Sequence, residues 1–406
     1  MKKILLLGGS GQQVIAIQTA KKLGYYTVLC DYLPDNPGKD VADIFYQVST
    51  TDKDEVLSVA RKEKIEGIVA YSSDPAAPTA AYVSEQMGLP GIPYQIAESF
   101  CEKHLFRKFL ETNGFNTPKS VALKKDSDAT IIKKLHFPII IKPTDSSGSK
   151  GVSVVESFEQ VEPAIEAAIK IGRNGIIIAE EYIVRDHRDV IEAEIFVVDG
   201  TVKIWGLMNT IRDERTNPLV PAAYSYPLNI SESRKLLVKE EVQRLITATG
   251  VKYGAFNIEI VITKEEKLYF LDAGPRNGGN MLPEFIGLIA NNDLVEATIN
   301  ASMGHYENLK NLKLDGESGG YWGMSVLHTD KSGMLNRITY NSIAKLALIR
   351  QADFKEVGQQ VEPFTQSRAA IGLSFFKFNS KSDRDAVLYD NVGKYIVIDV
   401  EETQNK

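Results

Sequence analysis

The sequence predicts an α/β chain that turns α+β as it proceeds: an open parallel sheet first, then blocks of mixed sheet and helix. Three observations carry that expectation. Residues 1–100 alternate short apolar runs with helical spacing. Residues 137–155 hold two apolar runs joined by a loop of small polar residues, and residues 185–300 turn to longer alternating strands around one long helix. At 406 residues, 43% hydrophobic and 25% charged, the chain has material for several cores of ordinary globular composition.

Lys3–Leu7 is an apolar run stopped by Gly8-Gly9-Ser10-Gly11, and Val14–Leu23 then has helical spacing. Tyr26–Cys30 is a second strand, ending at Asp31. Asp54–Lys64 reads as a helix, Gly67–Tyr71 as a strand, and Ala76–Met87 as a helix closed by Gly88. Strands interleaved with helices make parallel β-α-β units, so residues 1–100 are expected to form a Rossmann-like domain. Residues 101–184 form a second block. Its helix Glu102–Asn113 ends at Gly114, a residue suited to a left-handed cap. A strand Ser120–Leu123, a helix Asp126–Leu135 and a strand Pro138–Lys142 come next. The loop Thr144–Gly151 leads to a strand Val152–Val155, a helix Phe158–Ile171 and a strand Gly175–Glu180. Residues 185–303 carry strands Val190–Val198, Thr201–Met208, Gly254–Ile262 and Lys267–Leu271, with helices Ser231–Thr249 and Pro283–Asn291. Residues 304–406 make a final mixed segment ending in the strand Lys394–Val400.

Composition excludes several classes of function. No apolar run approaches the ~20 residues of a membrane-spanning helix, and the apolar N-terminal run is broken by glycine as a strand end, not extended as a signal peptide. Net charge is −6, from 47 basic and 53 acidic residues without a long basic block, so neither nucleic acid nor a membrane is expected as a partner. Cys30 and Cys101 cannot build a disulfide framework. His104, His136, His187, His305 and His328 include no i, i+3 or i, i+4 pair, so no zinc site is expected. The expectation is a cytoplasmic protein working on small molecules, with a homodimer as the assembly to consider. Gly9-x-Gly11, with Asp31 twenty residues on, has the outline of a dinucleotide fingerprint. Val14 stands where its third glycine belongs, which favours a tight turn or a substrate-binding role over an NAD site.

The chemistry concentrates between residues 103 and 280. Lys142 ends an apolar strand and is followed at once by Asp145-Ser146-Ser147-Gly148-Ser149-Lys150-Gly151. A strand-end ammonium beside a small-residue loop suits a polyphosphate, whose oxygens backbone N–H groups and hydroxyls can wrap. Glu180-Glu181-Tyr182-Ile183 closes another apolar strand. Glu259 and Asp272 sit on two strands expected to pair as a hairpin through Thr263–Glu266, giving a hard-oxygen pair suited to Mg²⁺. Singly, each feature also reads as a solvated strand end.

Together, and in this order, they resemble the ATP-grasp superfamily, in the branch of carbamoyl-phosphate synthase, biotin carboxylase and the amino-acid ligases. Four motifs carry the resemblance: Glu102-Lys103 with Gly114 and Pro118; Lys142-Pro143 with its loop; Glu180–Ile183; and Glu259 followed by Asp272-Ala273-Gly274-Pro275-Arg276-Asn277-Gly278-Gly279. The resemblance implies a two-lobed ATP-grasp fold after the Rossmann-like domain, with 101–184 as the smaller lobe, 185–303 as the central lobe and 304–406 packed on it. It implies that Lys103 and Lys142 contact the phosphates and that Ser147, Gly148, Ser149 and Gly151 belong to the loop closing over them. Glu180 and the backbone of Glu181 and Ile183 would read adenine. Asp189 would bind ribose, with Glu192 and Glu194 as competitors. Glu259 and Asp272 would hold Mg²⁺, and Arg276, with Lys142, would act on the reacting phosphoryl and acyl oxygens.

The sequence departs from the family twice. Asp272 stands where Glu is usual, and Gly274 stands where Asn usually supplies a ligand. A second metal ion is thereby put in question, and returning Asn to position 274 is expected to restore a ligand if the backbone there does not need positive φ. The function implied is an ATP- and Mg²⁺-dependent ligase that joins a small carboxylate to an amine through an acyl phosphate. Its alternatives are another ATP-grasp enzyme of nucleotide or bicarbonate metabolism and a non-catalytic nucleotide-binding protein.

Overall fold

The computed structural model describes residues 1–125, 127–390 and 392–402. The chain opens with β1 (Lys3–Leu7), α1 (Val14–Lys22), β2 (Tyr26–Asp31), β3 (Ile44–Gln47), α2 (Lys53–Glu63), β4 (Gly67–Val69) and α3 (Ala77–Met87). The four strands are parallel in the order β3-β2-β1-β4. Side chains alternate across a strand, and β1 uses both of its faces. Ile4 and Leu6 pack on Ala16, Ile17 and Ala20 of α1, whereas Leu5 and Leu7 face Val56, Val59 and Ala60 of α2. A sheet buried on both faces needs the near-continuous apolar strands that this segment has. β3 was not expected: it is a half-buried edge strand of four residues, without a strong apolar run.

α4 (Tyr94–Cys101) and α5 (Lys103–Thr112) lead into β5 (Ser120–Lys124), β6 (Ile139–Pro143), β7 (Ser153–Val155), α6 (Val161–Ile171) and β8 (Ile176–Glu181). These strands form an antiparallel sheet ordered β5-β8-β6-β7. Ile139, Ile141, Ile177 and Ala179 on one face pack on Val161, Ala164 and Ala168 of α6. α4 is a further addition to the sequence reading. The helix expected over Asp126–Leu135 is a 3₁₀ stretch, Ala129–Lys134, started by the Asp128 side chain accepting from the Thr130 N–H; Asp126 itself lies outside the described residues.

The remaining elements are β9 (Val190–Val198), β10 (Thr201–Arg212), β11 (Pro221–Tyr226), α7 (Glu232–Thr249), β12 (Tyr253–Ile262), β13 (Leu268–Gly274), α8 (Leu282–Ala290) and α9 (Leu294–Ser302). After them come β14 (Tyr321–Leu327), β15 (Gly333–Tyr340), β16 (Leu348–Asp353), β17 (Gln360–Val361), β18 (Gly372–Phe378) and β19 (Ile396–Glu402). The chain divides into two compact units. The first holds Met1–Asp186, Ala193–Trp205 and Glu232–Asp315; the second holds His187–Glu192, Gly206–Ser231 and Gly316–Lys406. Within the first, the β12–β13 hairpin is antiparallel and β9 runs beside β12. Within the second, β11, β14, β18 and β16 are neighbours in that order, and β15 joins β17 and β19 in a small separate sheet. Among the described residues, no helix is long and apolar enough to cross a membrane.

Candidate active site

The expected phosphate-binding residues come from α5, β6 and the loop after β6. Lys103 is the first residue of α5, and its N–H donates to the Thr144 carbonyl at 2.9 Å. Its ammonium donates to the Ser146 carbonyl at 2.8 Å and pairs with Asp272 at 3.1 Å. One lysine therefore touches both the loop and β13. Burial pushes the Lys103 ammonium down, but the Asp272 and Asp74 carboxylates outweigh it and hold the group above its ordinary pKa.

Lys142 pairs with Glu180 at 2.8 Å. Ile140 stands opposite Glu180 in the β6–β8 ladder, which puts Lys142 and Glu180 on one diagonal of the same face. Arg107, one helical turn beyond Lys103, grips the same carboxylate with Nε at 2.6 Å and Nη2 at 3.2 Å. It also donates to the carbonyls of Phe270 at 3.2 Å and Leu271 at 2.6 Å. Burial alone would raise the Glu180 carboxyl, but Arg107 and Lys142 bring it down to about 2. Lys142 is lowered, first by burial and then by the like charges of Arg107 and Lys103, against the pull of Glu180. The Glu180 carboxylate is thus committed to two cations, and the Glu181 N–H to the Lys119 carbonyl at 2.9 Å. The sequence reading missed Arg107. Its signal was the i, i+4 spacing from Lys103 on an amphipathic helix.

The loop between β6 and β7 is anchored at its start and open at its tip. Asp145 is buried and accepts from the backbone N–H groups of Arg173 and Asn174, each at 2.9 Å. Gly148 and Lys150 are exposed, and Gly148, Ser149 and Gly151 have φ of 65°, 58° and 71°, a run that glycine makes accessible. Ser146 Oγ donates to the Lys150 carbonyl at 3.0 Å and closes the turn.

Glu259 and Asp272 stand directly opposite each other in the β12–β13 ladder, as the hairpin reading expected. Ile260 then pairs with Phe270, so Leu271 is an extra residue on β13, and the carbonyls at this bulge are the ones that Arg107 takes. Burial would raise the Asp272 carboxyl, but Lys103 and Lys142 hold it below its ordinary value. A cavity of about 510 Å³ is lined by Asp272, Lys103 and Ser146 together with Asp74 and Asp145.

Beyond β13 the chain turns through Pro275–Asn280. Arg276 pairs with Asp74 at 2.5 Å and donates to the Asn277 carbonyl at 3.0 Å. Glu194, on β9, lies under this turn, accepting from the Gly278 N–H at 2.9 Å and from the Asn257 amide at 3.0 Å. Burial pushes its carboxyl up to about 8, against the pull of the Gly278 N–H. Position 274 is crowded by the side-chain ends of Asp74 and Arg276. A Cβ on Gly274 would overlap Asp74 Oδ1 and lie 2.7 Å from the Arg276 guanidinium carbon, so a side chain at 274 requires those two side-chain ends to shift, while the backbone there does not need positive φ.

Asp189 and Glu192 belong to the second unit, where they accept from the hydroxyls of Tyr389 at 2.8 Å and Thr210 at 3.1 Å. At the N-terminal glycine turn, Asp31 accepts from the N–H of Gly9 at 2.7 Å and of Leu33 at 2.9 Å. The acid that a dinucleotide ribose would need is engaged inside the turn itself.

Residues 135–284 match the family described as "ATP-grasp domain". Over 68% of its length the chain is 24% identical to the carbamoyl phosphate synthase large chain of Thermotoga neapolitana and 26% identical to that of Clostridium beijerinckii. It spans about a quarter of those relatives' length, the covered shares being 26% and 27%. Among solved structures, an L-amino acid ligase from Bacillus licheniformis superposes with a TM-score of 0.80 at 20% identity, covering 99% of each chain. A phosphoribosylglycinamide synthetase from Anaerococcus prevotii superposes at 0.76, also at 20% identity, covering 98% of this chain and 100% of that one. Residues 135–284 of the chain are thus an ATP-grasp domain.

Proposed function

We propose that the protein is an ATP- and Mg²⁺-dependent ligase that joins a small carboxylate, such as that of an amino acid, to an amine and releases ADP and phosphate. The observation that carries this reading is the Lys103–Asp272 ion pair at 3.1 Å, opposite Glu259 on the paired strand. Such a ligase needs a place where cationic donors and hard carboxylate oxygens meet at the phosphoryl end of a nucleotide, and this pair supplies both. The 99% mutual coverage with the amino acid ligase structure supports the fold that the reading requires.

Glu259 and Asp272 fit Mg²⁺ by the chemistry of their donors, two carboxylates facing each other across a hairpin. The ion would neutralise phosphate charge there. Gly274 offers no third oxygen, which favours one ion over two. Lys142 and Lys103 would bind phosphate oxygens, with Ser147, Gly148, Ser149 and Gly151 closing over them. Because the Glu180 carboxylate is held by Arg107 and Lys142 and the Glu181 N–H by Lys119, adenine would be read by the Glu181 carbonyl and the backbone of Ile183. Arg276 would hold the carboxylate as it is phosphorylated and stabilise the oxyanion formed on amine attack. No side-chain nucleophile is required.

The test is an ADP-release screen over amino-acid pairs and other acid–amine pairs, with bicarbonate as a further acceptor. Release that depends on both an acid and an amine, with an amide product by mass, is the expected result. Saturable ATP binding without ADP release under every pair would overturn the ligase reading in favour of a binding module.

A further inference from the structure

The crowding at position 274 has a counterpart in the first hundred residues. Asp74 stands just after β4 and starts a short 3₁₀ turn, Asp74–Ala76. Its two carboxylate oxygens do different things: Oδ2 meets Arg276 Nη2 at 2.5 Å, and Oδ1 lies in the space above Gly274. Both partners are largely withdrawn from solvent, with side-chain exposures of 22% for Asp74 and 13% for Arg276. Among the described residues the guanidinium is otherwise tethered by the Asn277 carbonyl, and its Nε is buried without a partner. Its direction therefore depends on the acid. Neighbouring contacts hold the same junction: Ser72 Oγ donates to the Gly278 carbonyl at 2.7 Å, and Gln12 Oε1 accepts from the Asn280 N–H at 2.9 Å.

We infer that Asp74 is the positioning residue for Arg276, and that position 274 is glycine because the Asp74–Arg276 pair occupies its side-chain space. A carboxylate from the N-terminal sheet thus aims the arginine that the ligase reading places on the reacting acyl group, and the inference rests on that reading. Free guanidinium rotamers would otherwise have to be ordered at each turnover, and an ion pair formed beforehand removes that cost from the reaction step. Gly274 is accordingly a fitted part of the site and not a lost ligand.

The experiment compares wild type with Asp74→Asn, Asp74→Glu and Gly274→Ala in steady-state ADP release and in equilibrium binding of ATP. Asp74→Asn keeps the shape and removes the charge, so kcat should fall about ten- to a hundredfold while the ATP Kd stays within about twofold. Asp74→Glu should recover part of the loss. Gly274→Ala should lower kcat in the same way, since its methyl displaces the pair, and adding Asp74→Ala should relieve that displacement, so the two losses should not multiply. Gly274→Ala also serves as the second probe if Asp74→Asn does not fold. Wild-type kcat in either folded variant overturns the positioning role and leaves the ligase reading standing. A loss confined to ATP Kd overturns it as well, by showing a merely structural contact. Absence of ADP release from the wild type under every pair removes the ligase reading itself.

Discussion

Lys142 and Glu194 show how burial sets the state of single groups at this site. Lys142 is paired with a carboxylate that Arg107 also grips, so Lys142→Ala leaves Glu180 with a charged partner and the fold intact. If Lys142 binds phosphate as proposed, the variant loses a charged hydrogen bond worth ~1.5–3 kcal/mol, so KM for ATP should rise about ten- to a hundredfold with little change in melting temperature. Wild-type KM would assign Lys142 to structure alone. Glu194 behaves differently, for its carboxyl is raised to about 8 by burial. A group whose native pKa lies above its unfolded value favours the fold below the unfolded value, and that advantage is lost as pH rises through the native one. Stability should therefore decline between about pH 4.5 and 8, by an amount on the order of a few kcal/mol, and Glu194→Gln should flatten that decline. Urea midpoints at intervals of pH, for both proteins, measure it.

At the scale of elements, the small-residue loop after β6 is where order should change. Its entrance is fixed by Asp145 on Arg173 and Asn174, whereas Gly148 and Lys150 at the tip are exposed. Fixing several small residues costs conformational entropy that phosphate contacts would offset. Amide exchange over 146–150 should slow when Mg-ATP is added, while that of β6 stays unchanged; equal protection in both conditions would remove the loop from the nucleotide site. The strands bearing this site were legible in the sequence. β6 and β8 are apolar runs with charge at the end, β9, β12 and β13 are apolar runs with acids set inside them, and their bounds shift by few residues between reading and structure. The elements that escaped have a weak pattern or a remote partner. β3 is a short half-buried edge, and Arg107 shows its role only once Glu180 and the β13 bulge are beside it. Asp74 and position 274 are 200 residues apart in sequence, and no local pattern could announce that one fills the other's space.

At the scale of the whole chain, the N-terminal sheet is not closed by its own hundred residues. On the face that receives Ile4 and Leu6, the cover includes Val295, Ile299 and Met303 as well as α1, so α9 completes a layer begun almost 300 residues earlier. A fragment of residues 1–100 keeps α2 and α3 over one face and loses part of the cover on the other. It should bind a hydrophobic dye and lack a cooperative thermal transition. A sharp, dye-free transition in that fragment would show that α1 suffices.

The order of synthesis gives the α9 contact a meaning in time. Translation at roughly 5–20 residues per second leaves about 10–40 s between the appearance of residue 100 and that of α9. Throughout that interval the nascent parallel sheet carries an incompletely covered apolar face. The polypeptide emerging behind it includes the apolar strands β6, β8 and β12, any of which can lodge there. Slowed elongation between residues 100 and 300 would lengthen this exposure, and a chaperone that occupies the face until α9 arrives would shorten the list of wrong partners.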